Sequence, residues 1–187
     1  MKELRLRHLE RLPLSASYPD LAKRLREVHD GLKQYEQAER SALVVDITGT
    51  GRSVVEYFRK ASLSPIEAWI SAGMGEKEME PNAWRIAKVE LVGQLQVLMH
   101  SDKFKVASGL DLVPVLKEEL TNFRMRAPST SGDDVESWRV GRADDLVFAA
   151  ALATWRGQKD IPMHKHAAQE MARKIDEMNE DLCKWVV

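Results

Sequence analysis

Ser41-Ala-Leu-Val-Val-Asp46-Ile-Thr-Gly-Thr-Gly-Arg52 holds a short apolar run, a carboxylate and a glycine-rich turn, in that order. An uninterrupted apolar run of this length reads as a strand covered on both faces. The run over 42–45 is therefore predicted to be a strand that ends on Asp46, with a turn and then a helix over 52–60 whose Val54, Val55 and Phe58 face inward. Much later comes Gly141-Arg-Ala-Asp144-Asp145-Leu-Val-Phe-Ala-Ala-Ala-Leu-Ala153, a pair of carboxylates opening an apolar helix. Carboxylates at a strand end and at a helix start are one way to build a divalent-metal site. Magnesium takes oxygen ligands and keeps several waters, so two or three convergent carboxylates suffice.

The 187 residues are enough for one domain with a real core. Positive and negative side chains nearly cancel, giving a formal net charge of -1, so nothing global points to nucleic acid, although a local basic face stays open. Cys183 is the single cysteine, which excludes a disulfide within the chain and argues against a cysteine zinc site. No apolar run reaches the roughly 18 residues of a membrane span, and the charged start Met1-Lys-Glu-Leu-Arg is unlike a signal peptide.

Around the opening motif, alternation at Leu4, Leu6 and Leu9 predicts a strand that Pro13 ends. Ser17 is a candidate cap for a helix running to about Tyr35, with Pro19 in its first turn. A strand is predicted over 65–70, a Gly- and Glu-rich loop over 71–82, and a long helix over 86–100. A short strand near Phe104 and a helix over 110–124, with Pro114 in its first turn, follow. The stretch 127–134 reads as a loop, and 161–187 as a charged helical tail. Strands alternating with helices argue for an α/β domain with some parallel pairing.

Taken in order, several phrases resemble the nuclease domain of a phage terminase large subunit, the motor protein that cuts and packages viral DNA. They are Arg7-His-Leu-Glu-Arg-Leu-Pro-Leu14 with Tyr18-Pro19, Leu43-Val-Val-Asp-Ile-Thr-Gly-Thr-Gly-Arg52, Lys88-Val-Glu-Leu-Val92, Leu116-Lys-Glu-Glu-Leu-Thr-Asn-Phe123, and Gly141-Arg-Ala-Asp-Asp-Leu-Val147. The resemblance implies a ribonuclease H-like mixed sheet flanked by helices over 1–156, with the 42–45 strand at the sheet centre beside the strand from Leu4 to Leu12, and with 157–187 as the tail. It implies metal-dependent hydrolysis of double-stranded DNA at one or two Mg2+ or Mn2+ ions. Asp46 matches the family's second acidic position, and Asp144 and Asp145 match its third. Arg52, Lys88 and Arg142 become candidate phosphate contacts. The implied partners are double-stranded DNA, the terminase ATPase domain, the small terminase subunit or the portal, in a bacterial host cytoplasm, for a phage or prophage protein; a homo-oligomer is also possible.

The chain departs from that family in one respect. The family's first acidic residue lies on a strand upstream of the Arg-His-Leu-Glu-Arg segment, where this sequence starts, and no GxxxxGK[ST] phosphate loop is present. The expectation is an N-terminally truncated fold with weak metal binding and little cleavage. Its competitor is a non-catalytic packaging or assembly module. A nucleotide-binding reading of Thr48-Gly-Thr-Gly51 lacks a phosphate lysine, and a tight turn explains those glycines more simply. Asp46 could equally cap its own turn, and one of Asp144 and Asp145 the helix that follows. The scattered histidines, among them His164 and His166, suit a metal poorly. The tryptophans read most simply as core or interface.

Overall fold

The computed structural model describes residues 1–32, 35, 41–49, 51–123 and 144–159, with Arg52 described by its backbone alone. In chain order the elements are β1 (Leu4–Leu6), α1 (Tyr18–Leu32), β2 (Val44–Asp46), α2 (Gly51–Lys60), β3 (Ile66–Ser71) and β4 (Glu76–Glu80). They continue as β5 (Ala83–Ala87), α3 (Lys88–His100), β6 (Phe104–Val106), α4 (Val113–Asn122) and α5 (Asp145–Gln158). A four-stranded sheet runs β2-β3-β5-β4, with β2, β3 and β5 parallel and β4 antiparallel to β5. The chain is thus mixed α/β with a mixed sheet between helices.

The local signals explain most boundaries. Ser17 and Asp20 form a reciprocal cap on α1: Ser17 Oγ accepts the Asp20 N–H and Asp20 Oδ2 accepts the Ser17 N–H, each at 3.3 Å. Pro114 sits in the first turn of α4, where its missing N–H costs nothing. Gly49 takes φ 75°, so the turn after β2 uses glycine for its conformation.

Alternation along β2 assigns its two faces. Val44 packs into the main core, with Ala68, Ile70, Ile86, Leu91, Leu95 and Val147, beneath α3 and α5. Val45 points the other way, against Ala22, Val54, Phe58 and Leu63 beneath α1 and α2. The helix α5 is the deepest element: Leu146, Val147, Phe148, Ala150, Ala151, Leu152, Thr154 and Trp155 are all buried.

Three expectations are corrected. The stretch 71–82 is not all loop, since it contains β4. Every residue of β4 is exposed and it carries no apolar alternation, so only its pairing with β5 makes it a strand. The turn joining the two runs through Pro81 and Asn82, and Asn82 takes φ 64°. The predicted helix over 86–100 begins two residues later, because Ala83–Ala87 first completes β5 beside β3. Finally, β2 is not central beside the first strand. Among the described residues it pairs with β3 alone, while β1 pairs in parallel with β6 in a separate two-stranded sheet. Only three residues of the first apolar alternation become strand, and Pro13 lies well beyond its end. The loop 127–134, the tail 161–187, Trp138 and Trp185 lie outside the described residues.

The edge hairpin is tied back to α5. Glu76 Oε2 accepts the Trp155 indole N–H at 2.5 Å, Lys159 Nζ reaches Glu76 Oε1 at 2.5 Å, and the Trp84 and Trp155 rings meet edge-on at 5.6 Å. Burial of Glu76 works against its charge, but hydrogen bonds from Lys159 and Trp155 bring its carboxyl below the usual range.

The packing of α3 gives a direct test. Leu91 is fully buried and Val97 is 50% exposed on the same helix. Leu91→Ala is expected to cost about 3 kcal/mol and Val97→Ala under about 0.5 kcal/mol in urea unfolding. Equal effects would contradict this orientation of the helix.

Candidate functional site

Asp46 is the last residue of β2. By alternation its side chain shares the face of Val44, the side on which α5 packs. Its Oδ1 accepts the Thr48 N–H at 2.8 Å, and Thr48 Oγ1 in turn accepts the Ile70 N–H at 2.9 Å. The turn is therefore stitched both to the carboxylate and to the neighbouring strand. The reading of Asp46 as a turn cap is realised through one of its oxygens.

Asp144 and Asp145 open α5, but they divide their work differently from the sequence expectation. Asp144 occupies the cap position with no side-chain cap bond. Two buried N–H groups of the first turn are instead taken by Glu119 of α4, whose Oε2 accepts from Leu146 at 3.0 Å and Val147 at 3.2 Å. Its other oxygen, Oε1, accepts from Arg11 Nη2 at 2.5 Å, and the same nitrogen lies 3.9 Å from Asp145 Oδ2. A buried helix start leaves several N–H groups without intrahelical partners, and a carboxylate there satisfies both the donors and the helix dipole. Glu119 and Arg11 were not among the sequence candidates. The available signal was Glu119 falling in helical register with Leu112, Leu116, Leu120 and Phe123, where a charge needs a buried partner.

The two aspartates also differ in exposure. The Asp144 side chain is 26% exposed and that of Asp145 76%, so Asp144 turns inward and Asp145 outward. Burial raises the Asp144 carboxyl above its usual range; Lys88 pulls against this, while Asp145 and Glu119 add to it. Lys88 Nζ stands 4.0 Å from Asp144 Oδ2 and over the rings of Phe148 and Phe123, at 4.9 and 5.1 Å from their centroids. Burial lowers the Lys88 ammonium and the Asp144 charge opposes that shift. Such a cation is held by one carboxylate and two aromatic faces.

Of the three candidate phosphate contacts, Lys88 is thus an inward, partnered cation rather than part of a solvated basic face. Arg142 and the Arg52 side chain lie outside the described residues. Among the described residues no three His, Cys, Asp or Glu side chains converge as a metal-binding group. Glu119 has both oxygens committed. Asp144 and Asp145 fit a divalent ion as hard oxygen donors, though Lys88 and Arg11 already place positive charge beside them. His8 pairs with Glu10 at 3.0 Å, and His164 and His166 lie outside the described residues.

Comparison with protein-family models, with curated proteins and with solved structures found no match to this chain.

The Lys88–Asp144 pair is open to titration. Because Lys88 lowers a carboxyl that burial raises, Lys88→Met is expected to move the Asp144 titration to still higher pH. Carboxyl-carbon NMR across the acidic range reads it directly. An unchanged or lowered midpoint would mean that the pair is not formed in solution. The sign for stability follows from the same shift. An ionised Asp144 opposes folding, and that penalty is absent below its unfolded value near 3.8 and sets in as pH rises through the higher folded value.

Proposed function

We propose that the chain is a terminase-type nuclease domain of ribonuclease H-like architecture, acting on double-stranded DNA with Mg2+ or Mn2+. The observation that carries this reading is the placement of Asp46 at the end of a parallel strand, on the sheet face over which α5 packs, with α5 itself opened by Asp144 and Asp145. The order and spacing of the phrases that resemble the terminase nuclease support it independently. A bound divalent ion would supply charge stabilisation at the phosphodiester and lower the pKa of the attacking water. Asp144 and Asp145 would hold that ion, and Asp46 would contribute from the strand end. Lys88 opposes the burial that raises the Asp144 carboxyl, and Glu119 fixes the backbone from which both aspartates project.

A second reading is a packaging or assembly module that keeps the architecture without cutting. It draws on the cations already seated against the carboxylates, Lys88 on Asp144 and Arg11 beside Asp145. Its partners would be DNA, the terminase ATPase domain or small subunit, or a portal.

Plasmid nicking separates the two. The purified chain is expected to cut supercoiled plasmid slowly in manganese and far more slowly in magnesium, and Asp46→Ala and Asp145→Ala should each abolish the reaction. Duplex binding without nicking in either metal would favour the assembly module. Robust cleavage unchanged in both variants would remove these residues from the chemistry.

A further inference from the structure

The four-stranded sheet turns its buried face to α3 and α5, where Ala68, Ile70 and Ile86 are almost entirely buried. Among the described residues, its reverse face is covered by α1 and α2 beneath β2, with Arg59 of α2 reaching Glu67 at the start of β3. Farther across, that face carries a row in exact strand register. Trp69 of β3 stands beside Arg85 of β5, and Arg85 stands beside Lys77 of β4. All three are exposed, Trp69 to 48%. Adjacent strands are about 4.8 Å apart, so the row spans roughly 10 Å.

Its two cations are unpaired among the described residues. Arg85 and Lys77 have no ion-pair or hydrogen-bond partner among the described residues. Glu67 on the same face is matched by Arg59 at 2.5 Å. Glu76 and Glu78 belong to the opposite face, with Trp155 and Trp84. Glu80 shares this face through its pairing with Ala83, past a register shift near the hairpin turn, and forms no ion pair with Arg85 or Lys77. A single exposed tryptophan is unremarkable. An indole in register with two cations on its β5 side, on an exposed sheet face, has the make-up of a strand-binding platform: an aromatic plane for a base and donors for phosphate.

We propose that this face binds single-stranded DNA, with one unpaired base stacked on Trp69 and the backbone phosphates led across Arg85 and Lys77. A duplex cannot use the platform, because its bases are already stacked on one another. Arg85 and Lys77 only donate, which suits phosphate; a ribose 2′-hydroxyl could accept from them, but none of the three side chains accepts its hydrogen, so the row does not satisfy both roles of that group. The site lies on the opposite sheet face from Asp46, so it does not depend on the nuclease reading.

The test is fluorescence anisotropy of a fluorescein-labelled oligothymidine of about 20 nucleotides against the full chain, with a duplex and an oligouridine of equal length as comparators. The oligothymidine is expected to bind more tightly than either comparator. Trp69→Ala should weaken it about tenfold and Trp69→Phe much less. The double variant Lys77→Gln/Arg85→Gln should reduce the salt dependence by about 1.4 in slope, two contacts at ~0.7 each. Circular dichroism checks the fold of each variant, and the double variant decides the question if Trp69→Ala unfolds. The proposal is overturned by no binding up to the solubility limit, by binding indifferent to Trp69→Ala in a folded variant, or by tighter binding of duplex or RNA. A homodimer that Trp69→Ala dissociates, with no oligonucleotide binding, would assign the face to a second copy and overturn it equally.

Discussion

One carboxylate, Glu119, sets where α5 begins. A helix this apolar is driven into the core by burial, and its first turn goes with it. Inside the protein the leading N–H groups have no water to turn to, and leaving them unpaired would cost on the order of 1–3 kcal/mol each. Glu119 meets two of them from α4 and is itself balanced by Arg11, from the segment between β1 and α1. Three stretches far apart in sequence therefore meet at one buried charge. Because α5 packs against α3, and its far end holds the β4 edge through Trp155 and Glu76, the position of this one helix start is felt across the sheet.

The same anchor places the acidic pair. Asp144 and Asp145 project from the first residues of α5, so any chemistry they perform inherits its precision from Glu119 rather than from their own caps. Their environments contrast, one half-buried against Lys88 and one open to solvent, and burial raises the Asp144 carboxyl above its usual range. A site with this arrangement starts from cation-paired carboxylates. A divalent ion must compete with Lys88 and Arg11, which is the physical reason for expecting loose binding.

Elements whose own residues carry the pattern were legible in the sequence. The apolar run before Asp46, the Ser17 cap, Pro114 at a helix start, Gly49 in its turn and the apolar α5 all announce themselves locally. Elements defined by a partner were not. The residues Glu76-Lys-Glu-Met-Glu80 have no face to bury, and they become a strand only because β5 offers an open edge. Likewise β1 finds β6 rather than β2, a pairing between segments a hundred residues apart that no local rule encodes. At the site, the aspartates stood out because carboxylates before an apolar run are conspicuous. Glu119 did not, since a glutamate within an ordinary amphipathic helix shows its partners only once the helices meet. Trp69, read from the sequence as core or interface, is 48% exposed on the side of its strand away from α3 and α5, a fact set by which faces the helices reach.

Amide hydrogen exchange in the wild-type chain and in Glu119→Ala tests this anchoring most directly. The expected result is a loss of protection at Leu146 and Val147 well beyond that at Ile70 in β3, with a fall in global stability of about 3 kcal/mol. Equal losses at all three amides, or a variant as stable as the wild type, would contradict the role of Glu119 as the anchor of α5.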